Sequence, residues 1–573
     1  MRSNFSRLDA IRAERSEIEN HHIDELVAGR LDRRAFLRRG AAVGMSASVM
    51  GAVLAACGGA NSAPSSSSAA ASASGSATSS ASGDAPVKGG TLNLALQTPA
   101  TAINPMLVDD SGGLCLLAQT GEFLTFDNNL ALALQPMLAT SWSHNGDGTV
   151  WTFKLRPGVK FHNGKALTAD DVVYTFKQLA DPKNSSNALS TFVGVLVPSG
   201  VRKVDSLTVA FHLESANGNF PYLVSSDNYN AIIVPAGTDF SKWQSTFVGT
   251  GPFKLSSYTQ NSSANFVANP DYWGKKANLD GTSFKFYESQ SPQILALQGN
   301  SADVVVQFVP SGAEAILSSP QYTIIKYKSS NHRELSMRCD QAPFTDARVR
   351  QAVALCLNRP GIVNALLHGL GSVGNDNPFA PMFASTDASV PQRVQDVAKA
   401  KHLMAAAGQS KGFSVTLSAD IYEEIPQLAQ VVKAATAPIN IDIKLNVETQ
   451  SAYYGKATFG NSDWLDATMS LVNYGDRGVP NVFLDAPLSS HGSWNAAHFH
   501  NPTYDGLFKQ YIAAVDLQTQ KSIAGKIERL LLAQTPLIIP YWIDGLAATT
   551  TAVHGVVPNA LGAVFLGQAY KKA

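Results

Sequence analysis

The sequence predicts an α/β protein, and three stretches carry that reading. Thr91-Leu92-Asn93-Leu94-Ala95-Leu96 alternates polar and apolar residues, the period of a half-buried strand. Thr168-Ala169-Asp170-Asp171 sets a capping hydroxyl and two carboxyls at the positive end of a helix dipole, with Val172, Val173 and Phe176 as the apolar face. Leu537-Ile538-Ile539-Pro540-Tyr541-Trp542 is a near-continuous apolar run of the buried-strand type. A chain of 573 residues allows about two to four domains, and 45% hydrophobic with 15% charged residues describes a globular protein able to fill large cores.

In chain order, residues 1–31 mix charges of both signs with Ile11, Ile18, Ile23, Leu26 and Val27, the spacing of a partly amphipathic helix. Asp32-Arg33-Arg34-Ala35-Phe36-Leu37-Arg38-Arg39 follows, then an uncharged run of small and apolar residues, 40–56, short for a bilayer span. The run ends in Leu54-Ala55-Ala56-Cys57. Arg33 and Arg34 before Phe-Leu resemble a twin-arginine export signal, and Leu-Ala-Ala-Cys resembles a bacterial lipobox. That resemblance implies removal of residues 1–56 and a lipid on the sulfur of Cys57. Residues 57–87 are read as a tether: of the 24 residues 60–83, 19 are Ala or Ser, too few apolar groups to offset the entropy of ordering.

The folded body is expected from residue 88. Asn145-Gly146-Asp147-Gly148 is a turn, and Val150-Trp151-Thr152-Phe153-Lys154-Leu155 a strand of the hairpin around it. Further on, 332–338 reads as a strand, 349–357 as a helix, 428–437 as a helix and 438–447 as a strand.

Several of these segments resemble, in order, the solute-binding proteins of peptide/nickel-type ABC importers. Pro136-x-Leu138-Ala139-x-Ser141-Trp142, Arg156-Pro157-Gly158-Val159-x-Phe161 and Thr168-Ala169-Asp170-Asp171-Val172 open the series. Gly249-Thr250-Gly251-Pro252-Phe253, Asn269-Pro270-Asp271-Tyr272-Trp273-Gly274, Phe344-Thr345-Asp346-x-Arg348-Val349-Arg350 and Ala400-Lys401-x-Leu403-x-x-Ala406-Ala407-Gly408 continue it. The resemblance implies a two-lobed periplasmic-binding-protein-like fold of the large peptide-binding type, with a hinge and an interlobe cleft. Lobe I is expected at 88–333 and again at 533–573, lobe II at 334–532, the run 537–542 carrying the chain back to lobe I.

In dipeptide- and oligopeptide-binding members, an aspartate in a second-lobe loop holds the ligand's ammonium group. Gly475-Asp476-Arg477-Gly478, after a strand-like 469–474, resembles that loop. Asp476, Gly475, Tyr474 and Asn473 are therefore candidate ligand residues, with Ser111 and Gly112 in lobe I. Dipeptide binders also place an arginine at the start of a second-lobe helix; the matching stretch Glu423-Glu424-Ile425-Pro426-Gln427-Leu428 has none, which favours a longer peptide or another amine-bearing solute.

The implied function is extracytoplasmic, periplasmic or on the outer face of the membrane: capture of a peptide or similar solute by a lipid-anchored monomer, and delivery to the permease and ATPase of an ABC importer. A metal complex such as nickel, or another non-peptide solute, is the alternative. A secreted hydrolase is disfavoured, because no nucleophile elbow, HExxH, P-loop or strand-following GxGxxG occurs. Neither cofactor nor metal is expected; His498-x-His500 with His491 is a weak metal pattern. Residues 1–56 hold nine basic and seven acidic residues of 44 each, which leaves 35 and 37, a net charge of −2, and no basic field for nucleic acid. Cys115, Cys339 and Cys356 are read as buried thiols, with a Cys339–Cys356 disulfide as the lesser option.

Overall fold

Two seven-stranded sheets organise the body, one in each lobe. The computed structural model describes residues 86–128 and 133–572. Arg33, Arg34, Cys57 and most of the tether lie outside the described residues. Among the described residues no helix is long and apolar enough to cross a membrane.

The first sheet runs in the order Tyr322–Tyr327, Gly545–Thr550, Val304–Val305, Thr91–Gln97, Gly281–Tyr287, Ser263–Ala268, Phe253–Thr259. Thr91–Gln97 lies at its centre, parallel to both neighbours. A four-stranded antiparallel sheet, in the order Ala139–His144, Val150–Leu155, Thr208–His212, Val201–Asp205, extends this lobe and contains the expected hairpin. The helix Ala169–Ala180 begins where the sequence placed it, but Asp171 does more than face a dipole. Fully buried, its carboxylate accepts from Thr168 N at 2.8 Å, Lys165 Nζ at 2.7 Å and Ala236 N at 2.8 Å, the number of partners a buried charge needs.

The second sheet runs Gly371–Val373, Tyr541–Ile543, His332–Met337, Met469–Tyr474, Phe413–Asp420, Ile441–Glu448, with Leu537–Ile538 also paired to His332–Met337. The apolar run at 537–542 thus belongs to the second sheet, not to the first as the boundary at 533 expected. The chain returns at Asp544, and Gly545–Thr550 is the strand that re-enters the first sheet. Apolarity signalled burial on both faces; register against His332–Met337 decided which sheet.

The chain crosses between lobes twice, at 328–331 and at 544, side by side. Ile543 N donates to Asn331 O at 2.8 Å, and Lys328 Nζ reaches Asp544 Oδ1 at 2.9 Å and Ser372 Oγ at 3.0 Å. The lobes touch again where Gly218 N donates to Ile512 O at 2.8 Å and Asn219 Nδ2 to Asn481 Oδ1 at 2.8 Å.

The family-like segments serve the scaffold. Buried Glu122 accepts from Tyr272 OH, Thr250 Oγ1 and Trp273 Nε1, each at 2.7 Å, while Arg156 stacks 4.3 Å over the Trp273 ring. Gly249 and Gly251 allow this convergence: a Cβ on Gly249 would lie 2.0 Å from Thr120 O. Arg350 Nε donates to the carbonyls of Gln534 and Thr535, and its Nη1 to that of Phe344. Through these bonds it ties off the end of the helix Leu517–Gln534. All three described cysteines are free, so the Cys339–Cys356 disulfide is not formed.

Candidate functional site

Asp476 lies two residues beyond the strand Met469–Tyr474, and its side chain turns to the first crossing segment. Oδ1 accepts from Ser330 N at 2.5 Å and Ser330 Oγ at 2.9 Å. Oδ2 is buried and bonds nothing. Arg477 does not pair with this carboxylate; its guanidinium donates to the Asp476 carbonyl at 2.7 Å and its backbone N to Ser330 Oγ at 2.7 Å. Burial pushes the Asp476 carboxyl up, against the bonds from Ser330, the nearby Ser329 hydroxyl and the charge of Arg477. A half-satisfied buried carboxylate beside the hinge is suited to receive one more donor, preferably a charged one.

A cavity of about 250 Å³ lies between the lobes. Leu96, Gln97, Ser111, Gln290, Gln293 and Gln307 line it from the first lobe, Tyr422 and Glu423 from the second. Ser111 opens the helix Ser111–Thr120, with Asp110 as N-cap. Gly112 is packed too closely for a side chain, since a Cβ would meet Gln97 O at 2.3 Å.

Behind Glu423 sits Arg333, fully buried on the crossing strand. It donates to Glu423 Oε2 at 2.7 Å and Asn473 Oδ1 at 2.6 Å, and pairs with Glu424 Oε1 at 3.0 Å. Two carboxylates against one guanidinium leave this group acidic, so Arg333 offers no free positive charge to a ligand anion. Glu423 adopts φ 45°, a left-handed conformation unfavourable for a glutamate, held by these bonds.

The candidate residues thus divide. Asp476 and Ser111 face the interlobe space or the hinge. Gly475 has open space about its α-carbon, the nearest atom to a would-be Cβ being Arg477 Nη1 at 4.0 Å. Asn473 is engaged by Arg333. Tyr474 is packed in the second lobe's core, its ring stacked 5.4 Å from His332. Sequence reasoning missed Ser330, Arg333 and Glu423. Arg333-Glu334 inside an otherwise strand-like run was the available signal, since charges on a crossing strand must find partners. His491, His498 and His500 share a separate cavity of about 520 Å³ with Asp340, yet among the described residues no group of His, Cys, Asp and Glu is arranged to hold a metal ion.

Two lobes on a double-stranded hinge, with polar side chains from both turned to one space between them, are the architecture of a protein that captures a small solute by closing on it. This chain belongs to the bacterial extracellular solute-binding proteins, family 5, whose middle-region model matches residues 133–494. It is 27% identical over 464 residues to heme-binding protein A of Haemophilus influenzae, covering 75% of this chain and 82% of that one. Identity to the dipeptide-binding protein of Escherichia coli is also 27%, over 458 residues, 74% of this chain and 84% of the other. The fold matches the structure of HbpA2 from Haemophilus parasuis with a TM-score of 0.75 at 22% identity, covering 84% of this chain and 100% of that one. The protein is an extracytoplasmic solute-binding protein.

Proposed function

We propose that the protein captures a peptide, or a similar solute bearing a free amine, and hands it to the permease and ATPase of an ABC importer. It acts by stoichiometric binding, not turnover, from a lipid anchor at Cys57. The observation that carries the amine is Asp476 Oδ2, a buried carboxylate oxygen without a partner at a strand end between the lobes. Kinship with the dipeptide-binding protein supports a peptide; Arg333, spent on Glu423 and Glu424, argues against a required ligand carboxylate.

Removing one partner of an enclosed charge pair costs roughly 3–5 kcal/mol. Asp476→Ala should therefore weaken binding by about two to three and a half decades, and an exposed pair by less than about one. Acetylating the ligand amine should cost wild type as much and the variant little more, because both changes remove one interaction. Calorimetry on a tripeptide that raises the melting temperature measures the cycle. Additive losses, or tight binding by the variant, would take Asp476 out of the site. Cell fractionation tests the anchor: Cys57→Ala should leave the membrane fraction, and retention at the wild-type level refutes it. One acyl chain binds only marginally, so durable anchoring needs two or more.

A further inference from the structure

The seam between the lobes holds more carboxyl groups than its neighbouring cation balances. Asp127, in the first-lobe strand Thr125–Asn128, is buried, and its backbone N donates to Ser226 Oγ at 2.9 Å. Asp227, one residue beyond Ser226, donates its N to Ser225 Oγ at 3.0 Å. These turns bring the two carboxyls within hydrogen-bonding reach of each other and within the field of Asp476 from the second lobe. Oδ2 of Asp227 and Oδ2 of Asp476 are both buried without a partner. Asp227 Oδ2 lies directly against Gly478 of the second lobe, where a Cβ would come within 1.6 Å of it. Arg477 supplies one positive charge to this group, and three carboxyls face it. A cavity of about 50 Å³ opens at the same seam, lined by Asp227, Tyr222, Tyr229, Arg477 and Gly478.

An unbalanced carboxyl cluster with orphaned buried oxygens is short of a cation. Among the described residues none of the acidic groups has the arrangement of a metal site, which points to an organic cation. Two tyrosine rings on the cavity wall suit such a group as well. Burial pushes both first-lobe carboxyls up, Asp127 to about 6, and the charge of Asp476 adds to the rise.

We propose that Asp127 and Asp227 are first-lobe ligand residues that, with Asp476, enclose the ammonium or guanidinium group of the solute, so that the lobes close stably only on a cation. This rests on the reading that Asp476 receives a solute amine. With no cation in place, closure buries carboxyls that must hold protons to be tolerated; with one, the same groups ionise and become the attraction that holds the lobes shut. Specificity for the amine then comes from both lobes, and a neutral isostere is rejected at the closing step.

The test uses the full chain as wild type, Asp127→Asn, Asp227→Asn and Asp476→Asn. The probes are an equimolar pool of tripeptides with neutral side chains and free amino termini, and the same pool amino-acetylated. Melting temperature and radius of gyration in solution scattering are read. Wild type should respond to the free-amine pool alone. Asp227→Asn and Asp127→Asn should each bind that pool about tenfold or more weakly, the loss of one charged hydrogen-bond partner. Each should narrow the preference over the acetylated pool, and the ligand-free radius should fall toward the bound value. If wild type ignores both pools or responds equally, the amine reading itself fails and this proposal with it. If wild type prefers the free amine and Asp476→Asn loses that preference, yet both first-lobe variants keep wild-type affinity, preference and ligand-free radius, the first-lobe role is wrong and Asp476 stands.

Discussion

Glu122 shows how one residue can gather several distant motifs. Its carboxyl is met by Thr250, Tyr272 and Trp273, three residues from two separate segments, and burial pushes it up to about 7. The folded state therefore keeps this proton to about pH 7, while the unfolded chain releases it near 4.5. Between those values the folded state binds more protons, so stability falls as pH rises, by on the order of 3 kcal/mol for this group. Urea unfolding at pH 5 and pH 7.5 should show that decline in wild type. Glu122→Gln should flatten it, because the amide does not titrate. An unchanged slope in the variant would assign the pH dependence to other acids, such as Glu528, also raised to about 7 by burial. Neither Glu122 nor Arg333 stood out in the sequence as a hub, because their partners lie far along the chain.

At the scale of elements, the Gly-Thr-Gly-Pro-Phe segment is a close-packing device. Gly249 and Gly251 press against the backbone that ends the helix Ser111–Thr120, and the strand Phe253–Thr259 leaves from there into the first sheet. Gly249→Ala forces a methyl to within 2.0 Å of a carbonyl oxygen unless the loop moves. The expected cost is about 1–3 kcal/mol or more, visible as a lowered melting temperature without ligand. A variant as stable as wild type would show that the loop shifts freely. Local signals of this kind were legible: the Thr168 start, the hairpin at 145–148 and the strand before Asp476 all depend on residues a few positions apart. The apolar run at 537–542 was legible as a strand but not as a member of the second sheet.

For the whole molecule, two adjacent crossings make a hinge on which two lobes can close, and the lobes also touch at Gly218 and Asn219. Saturating ligand should lower the radius of gyration and raise the melting temperature, since the ligand binds only the folded state. Gly218→Ala tests the second contact between the lobes. A Cβ there would lie 1.8 Å from Ala514 O in the other lobe, so the variant should resist closure at that contact. Weaker ligand binding and a smaller change in radius are expected. Wild-type affinity in Gly218→Ala would show that this contact is not part of the bound form.

The sequence by itself determined the α/β class, the order of the main elements, the family-like motifs and the loop bearing Asp476. Those features arise from alternation, caps and turns whose partners are near neighbours in the chain. Only the tertiary structure decided what Asp476 bonds. Ser330 reaches it from 146 residues away, and the second crossing, at Asp544, lies beside that hinge. Tertiary structure likewise placed Arg333 among Glu423 and Glu424, 90 and 91 residues further on, and set Asp227 of one lobe against Gly478 of the other. Charge balance at a buried site is a sum over groups that only folding brings within a few ångströms, and local sequence pattern holds no record of that sum.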